Sequence, residues 1–493
     1  MATLQELRQQ RIEKLNKIQA AGIAPYPSVA TRTHTVEEAK ENYTILSNNE
    51  QVITVTGRVM SLRGHGKTVF FDVEDFFGKL QCYAKADALG ESFTSIIENL
   101  DIGDFLEATG VLFTTKLGEI TLKLSAAKLL AKSLRPLPEK WHGLQDVEKR
   151  YRQRYLDFLV NKDVREKMIT RNKIIRAIRE YLHCQGFIEI DFPVLETEAS
   201  GALAKPFKTH INAYDMDLYL RICMGELWQK RMMVGGFEKV FEIGRAFRNE
   251  GVDHQHNPEF TLLEYYWAYA DYEKNMQFHE ALFPHLLKTI FGKLEIEYDG
   301  KTIDFTPPYP RKSFRDLFLE HVSLDIEQFP NKESLIPELQ KLKVKIEPKA
   351  GWGKLLDNAY KDLIRPKLIQ PMFLIDHPLE LSPLAKKKPE NPLYVERFQL
   401  LINGFEISNS YTELNDPFDQ EERFAEQTKL ADAGDDETMQ YDKDFITALE
   451  HGMPPTTGTG IGIDRLVALL TDSHSLREVI AFPLMKPSPI EQE

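Results

Sequence analysis

Phe247-Arg248-Asn249-Glu250-Gly251, followed by His256-Asn257-Pro258-Glu259-Phe260, reads as the end of one strand, a polar loop and the start of another. The loop carries an arginine, a glutamate, a histidine and an asparagine, with an aromatic ring at its exit. That set suits a nucleoside triphosphate, because arginine neutralises phosphate and a phenyl ring stacks on a purine. Beyond the loop, strand alternation puts Phe260, Leu262, Glu264 and Tyr266 on one face. Glu264 then stands enclosed among apolar neighbours, and a buried carboxylate wants a cation or hydrogen-bond donors. Far downstream, Gly458-Thr459-Gly460-Ile461-Gly462-Ile463-Asp464-Arg465 answers the loop. Its glycines permit close backbone approach, and a second arginine, Arg465, opens a helix.

Composition bounds the rest. A chain of 493 residues calls for two or three domains, and an apolar share of 42% suits globular cores. A net charge of -13 argues against holding nucleic acid by bulk positive charge, though a local basic patch remains compatible with it. The three cysteines, Cys82, Cys184 and Cys223, lie far apart, so neither a disulfide framework nor a zinc site is expected. No apolar run approaches the roughly 18 residues of a membrane span. The start of the chain reads as a charged helix over 4–20, with Leu4, Leu7, Ile12, Leu15 and Ile18 on one side. Together these predict a cytoplasmic protein with no membrane partner.

Residues 1–50 are expected to form an N-terminal helical segment and 51–135 a barrel. Val52–Val59, Thr68–Val73, Lys79–Tyr83, Asp104–Ala108 and Ile120–Leu124 are rich in strand formers, with turn signals at Gly64, Gly66, Gly78, Gly103 and Gly118. Five short strands and a helical stretch near 91–99 suit an OB-type barrel, which binds single-stranded nucleic acid; an SH3-like barrel is the alternative on strand count. Leu134-Arg135-Pro136-Leu137-Pro138 opens a linker and re-entry helix over 136–165. Residues 166–493 form the remaining domain, with a polar, weakly patterned insertion near 325–350. The fold class is α+β.

Residues 397–411 read as a hairpin turning at Asn403-Gly404. A two-residue turn would pair Leu401 with Glu406 and Gln399 with Ser408. Gln399 and Glu406 would then lie close enough to hold magnesium on phosphates. Asn409, Tyr411 and Glu413 alternate on a common face, and Glu406 joins them only if the strand kinks near Ser408.

The two stretches of the first paragraph, in this order, resemble motifs 2 and 3 of class II aminoacyl-tRNA synthetases, and their wording resembles the bacterial type of lysyl-tRNA synthetase. Gly186-Phe187 with Pro193 resembles motif 1, the dimer-forming element. Gly201-Ala202-Leu203-Ala204-Lys205-Pro206-Phe207, Gln370-Pro371 and Leu381-Ser382-Pro383-Leu384-Ala385 match further signatures of that family, as does Gly22-Ile23-Ala24-Pro25-Tyr26-Pro27 near the start. The resemblance runs from about residue 4 to Pro487. It implies an OB-type barrel followed by a class II catalytic domain, an antiparallel sheet flanked by helices. It also implies an ATP-dependent ligase that charges tRNA(Lys) with L-lysine and works as a homodimer.

Carried over by position, the resemblance implies lysine binding by Gly201, Glu226, Glu264, Tyr266, Asn409, Tyr411 and Glu413. It implies ATP binding by Arg248, Glu250, His256, Asn257, Phe260, Glu406 and Arg465, with Arg248 and Arg465 as the catalytic pair. Such a reaction, a carboxylate attacking the α-phosphate in line, needs charge neutralisation and positioning more than acid or base. Mg2+ is expected, bound largely through the ATP phosphates and by Glu406 and Gln399. Glu226 and Glu413 would neutralise the lysine ammonium, with Tyr266 or Tyr411 as an aromatic wall. In the barrel, Arg63, Phe70, Gln81 and Glu119 fall where the family reads the anticodon.

The chain departs from the family pattern twice. Cys223-Met224-Gly225 precedes Glu226 where a small residue and a proline are usual, and Gln399 stands where a metal-binding glutamate is usual. Glutamine keeps an oxygen ligand but loses a charge. Two other readings compete with this one. A synthetase of the same subclass for aspartate or asparagine would present cationic or amide groups to its side chain. A tRNA-binding paralogue without catalysis would have no use for both arginines.

Overall fold

Strands β1 (Ile53–His65), β2 (Thr68–Glu74), β3 (Lys79–Lys85), β4 (Phe105–Thr114) and β5 (Ile120–Ala131) close into a barrel in the order β1-β2-β3-β5-β4. The structure, a computed structural model, describes residues 3–138, 144–198, 201–202, 204–347, 350–432 and 441–487. Leu203 of the glycine-alanine loop and residues 348–349 of the 325–350 stretch lie outside them. The chain divides into two compact units, Met1–Gln145 and Asp146–Glu493.

In the first unit, alternate residues of every strand fill the barrel: Val55, Val59, Phe71, Val73, Leu80, Cys82 and Leu122 are buried. Short helical turns over Ala86–Asn99 bridge β3 and β4, the place where the sequence reads as helical. Gly64 is not a turn residue, as its sequence context suggested; it sits within β1 opposite Val69. Helix α1 (Leu4–Ala20) begins with a capping box between Thr3 and Glu6, and of its apolar stripe only Ile18 is buried.

The second unit is built on eight strands. They are β6 (Ile188–Glu189), β7 (Lys239–Phe247), β8 (Glu259–Ala268), β9 (Arg311–Ser313), β10 (Met372–Pro378), β11 (Tyr394–Ile402), β12 (Phe405–Thr412) and β13 (Thr456–Gly462). Their order is β9-β10-β11-β12-β13-β8-β7-β6, antiparallel except for the two edge strands. Helices α2 (Lys162–Cys184), α3 (Glu226–Val234), α4 (Tyr272–Phe291), α5 (Lys443–Glu450) and α6 (Ile463–Leu470) are the longer helices used below. Ile174 and Ile178 of α2, Phe283 and Leu287 of α4 and Leu466 of α6 pack on one sheet face. At its centre Asn275 of α4 donates to the hydroxyls of Ser410, Thr457 and Thr459 at 2.7–3.0 Å and accepts from Tyr265. This satisfied polar network ties one helix to three strands and fixes their register. Within the 325–350 stretch, Leu335 and Leu339 of the helix Lys332–Lys341 are buried in a second apolar cluster with Phe314, Leu355 and Leu401.

The hairpin of β11 and β12 corrects the simple pairing. Asn403 (φ 48°) and Gly404 (φ 72°) make the tight turn, and Leu401 faces Glu406 as expected. Gln399, however, faces Asn409 rather than Ser408. Ile407 is an extra residue between two pairs, a β-bulge that reverses the alternation, as the kink near Ser408 required.

Candidate active site

The sheet face away from α2 and α4 carries a cavity of about 310 Å³. Strand alternation builds its floor. Phe260, Leu262, Glu264 and Tyr266 of β8 line it, and β12 adds Glu406, Asn409 and Tyr411, which the bulge at Ile407 brings to one side. Arg248, Glu250, His256 and Asn257 come from the loop between β7 and β8, Gly201 from the glycine-alanine loop, Glu226 from the start of α3, and Arg465 from the first turn of α6. One concave site thus gathers all the residues expected to hold ATP and all but one of those expected to hold lysine.

One side of it is electropositive. Arg248 Nε donates to the Ile222 carbonyl at 3.2 Å, and its guanidinium carbon lies 5.1 Å from the centre of the Phe260 ring. Arg465 reaches the Glu406 carbonyl and His256 Nε2, each at 3.4 Å. Burial lowers the Arg465 pKa; Glu406 opposes this, and the like charges of Arg248 and Arg365 lower it further. Cations held together against their own repulsion favour a polyanion. Asp464 braces the turn beneath them, accepting from the Thr261 amide at 2.9 Å and pairing with Arg171 at 2.6 Å. His256 is held by Asp253 at 2.9 Å, and Asn257 Nδ2 donates to the Glu259 carbonyl at 2.6 Å. Glu250 accepts from the Lys205 amide at 3.3 Å.

The other end is acidic and enclosed. Glu264 is 6% exposed, and one of its oxygens has no hydrogen-bond partner. Burial first, then the charge of Glu226, pushes its pKa up to about 8. A cation placed beside it would favour its ionised form. The Tyr411 hydroxyl donates to Glu226 Oε1. Gly458 is the one glycine of its strand whose lack of a side chain is required here: a Cβ would overlap both Glu413 and the Tyr266 ring. Glu413 does not line the cavity; it is buried behind the wall and meets Lys230 Nζ at 2.6 Å.

Gln399 also departs from expectation. It shares a sheet face with Asn409 and Leu401, is 8% exposed, and is not part of the cavity lining. It borders the buried His377 imidazole, whose pKa burial lowers strongly. Among the described residues no group of three His, Cys, Asp or Glu side chains could hold a metal alone. Glu406, by contrast, offers a carboxylate at the cavity beside Arg465.

Several lining or neighbouring residues escaped the sequence reading: Arg397, Arg365 and Lys230. Arg397 is two residues from Gln399 on the same face, and it is engaged by Asn409 Oδ1, the Leu381 carbonyl and Ser382 Oγ at 2.7–2.9 Å. Lys230 follows Glu226 by one helical turn, a spacing that makes ion pairs on helices.

On the barrel, Arg63, Phe70 and Gln81 lie on one outer face, since Arg63 pairs with Phe70 and Asp72 with both Ser61 and Gln81. Phe70 packs on Tyr83 with ring centres 4.8 Å apart, and Thr121 donates to Gln81 Oε1 at 2.9 Å. Glu119 is exposed in the turn between β4 and β5.

An antiparallel sheet with a glycine-walled cavity, two opposed arginines and an OB-type barrel before it define a class II aminoacyl-tRNA synthetase. A family profile described as tRNA synthetases class II (D, K and N) matches residues 146–486, and one for OB-fold nucleic acid binding domains matches residues 53–130. The lysine–tRNA ligases of Dehalococcoides mccartyi and Carboxydothermus hydrogenoformans are each 48% identical to the chain. The first aligns over 97% of both chains, the second over 98% of this chain and 99% of its own. That of Thermosipho africanus is 46% identical over 99% of this chain and 98% of its own. The chain belongs, within that class, to the lysine–tRNA ligase family.

Proposed function

We propose that the cavity activates L-lysine with ATP, giving lysyl-adenylate and pyrophosphate, and that the chain then transfers lysine to the 3′ end of tRNA(Lys). The observation that carries this reading is one enclosed site with arginines at one end and buried acids at the other. Arg248 and Arg465 bind the triphosphate and stabilise the charge that develops as the lysine carboxylate attacks the α-phosphate and pyrophosphate leaves. Phe260 stacks on the adenine, while Glu250, His256 and Asn257 hold the nucleotide in the attack geometry. Glu264 and Glu226 take the cations of the amino acid, Glu413 adds charge from behind the wall, and Gly201, Tyr266, Asn409 and Tyr411 shape the space between. Aspartate or asparagine would meet acids here, and the cations Arg397 and Lys230 beside them are already engaged.

Mg2+ fits at Glu406, where it would neutralise phosphate charge; with no all-protein cluster among the described residues, phosphate oxygens and water complete its shell. Gln399 contributes at most a neutral oxygen. On the barrel, Phe70 stacks on an anticodon base and Gln81 hydrogen-bonds it, with Arg63 and Glu119 at the margin. Ile188, Val194 and Leu195 leave an exposed apolar row beside the motif 1 elements, which supports a homodimer. No helix among the described residues is long and apolar enough to cross a membrane, in keeping with a cytoplasmic site of action. ATP–pyrophosphate exchange with each of the twenty amino acids tests the proposal: lysine should stimulate it, and stimulation by aspartate or asparagine instead would overturn it.

A further inference from the structure

Lys230 is wholly buried on α3, and its ammonium bridges two acids: Nζ lies 2.8 Å from Glu226 Oε1 and 2.6 Å from Glu413 Oε2. The rings of Tyr411 and Phe445 stand 5.7 Å and 5.8 Å from it. A lysine without solvent, carried on the helix that presents Glu226 to the cavity, is not a surface ion pair. Burial depresses its pKa, but Glu226 and Glu413 more than offset this and hold it above the ordinary value. Burial also pushes the Glu413 carboxyl up, against the pull of Lys230.

The acidic end has capacity for further cations. Glu226 and Glu413 share the buried Lys230 ammonium, Glu264 is buried with one oxygen unpartnered, and L-lysine brings two more ammonium groups. Its carboxylate is left for Arg248. One Glu226 oxygen is taken by Lys230 and the Tyr411 hydroxyl, which leaves the other for the substrate.

We propose that Lys230 is a positioning residue for side-chain selection: it clamps Glu226 and Glu413 at a set separation, so that the free Glu226 oxygen meets the substrate ε-ammonium at one depth. This rests on the reading of the cavity as the lysine-activating site. Without the clamp, two carboxylates would share one buried volume; one would take up a proton and both would gain freedom. An amine one methylene shorter would then be rejected less well. The charged and titratable groups that meet Lys230 are Glu226 from α3, Tyr411 from β12 and Glu413 just past its end; Glu264 acts in turn on Tyr266, both from β8, and Arg397 from β11 acts on Tyr411.

The test compares wild type, Lys230→Met and Lys230→Gln in lysine- and ornithine-dependent ATP–pyrophosphate exchange between pH 6.5 and 9. At pH 7 the KM for lysine should rise at least about tenfold in Lys230→Met, with kcat and the KM for ATP changed by less than about threefold. That KM should fall again toward pH 9, as the second carboxylate ionises, and the preference for lysine over ornithine should narrow. Lys230→Gln keeps a donor and much of the length; it should shift the same way by less, and it decides the matter if Lys230→Met does not fold. A lysine KM unmoved in the variants, with discrimination intact, overturns the clamp. So does a parallel loss in kcat, lysine KM and ATP KM, which would mark simple packing. Wild-type enzyme without lysine-dependent exchange would instead overturn the lysine reading, and the clamp with it.

Discussion

The cavity and the outer face of the barrel use the same kinds of side chain at opposite ends of a scale of exposure. Each offers an arginine, a phenyl ring, a glutamate and an amide: Arg248, Phe260, Glu264 and Asn257 in one, Arg63, Phe70, Glu119 and Gln81 in the other. In the cavity Glu264 and Asn257 are buried, and burial with Glu226 pushes the Glu264 carboxyl up to about 8. On the barrel Arg63 and Glu119 are exposed, and Phe70 rests half-buried on Tyr83. A charge in a water-poor site interacts far more strongly than one in water. On the proposed reading, chemistry is concentrated in a few costly contacts in the second unit. On the same reading, recognition in the first is spread over weaker contacts that can fail one at a time.

The largest expected loss lies where the cavity is most charged. Arg465→Ala should lower the exchange rate by at least about a hundredfold, or about 3 kcal/mol, as for other preorganised groups facing developing charge. Steady-state exchange at saturating lysine measures it, and a loss below tenfold would erase the contrast. Next comes the acidic end. Glu226→Gln should weaken lysine binding by at least about 2 kcal/mol, the order of a half-paired buried charge. Calorimetric titration with lysine reads this directly, and unchanged affinity would remove Glu226 from the pocket.

The barrel should behave differently. Phe70→Ala should weaken charging of tRNA by about 1–3 kcal/mol, the worth of one base–aromatic stack, and leave exchange without tRNA nearly intact. If both reactions fall together, Phe70 supports the barrel rather than a base. The smallest effect belongs to Gln399. Restoring a carboxylate with Gln399→Glu should lower the magnesium concentration for half-maximal exchange by a few-fold, with lysine selectivity unchanged, since one anionic oxygen is added to a shell made mostly of phosphate and water. A magnesium midpoint that does not move would sharpen the contrast further, leaving Glu406 as the protein's contribution.

What the sequence made legible were local features: the strand–loop–strand around Arg248, the alternation from Phe260 to Tyr266 and the Asn403-Gly404 turn. Each depends on neighbours within a few residues. The bulge at Ile407 was legible only as a need, because alternation shows that Glu406 is on the wrong face without showing which residue is extra. The place of Glu413 was not legible at all. Its retreat behind the wall depends on Lys230, on another element, and on the absence of a side chain at Gly458. The buried leucines of the helix Lys332–Lys341 were hidden for another reason: Lys332, Glu333, Glu338 and Lys341 dilute their stripe within one short helix.

If one cavity joins lysine to ATP and the chain passes the product to tRNA, the charged tRNA carries the record of it. The most direct measurement incubates the enzyme with ATP, magnesium, all twenty amino acids and unfractionated tRNA. The charged tRNA is then digested, and the released 3′ aminoacyl-adenosine is weighed by mass spectrometry. The account predicts lysyl-adenosine alone, lost when Glu226→Gln replaces wild type at limiting lysine; aspartyl- or asparaginyl-adenosine, or no aminoacyl-adenosine at all, would contradict it.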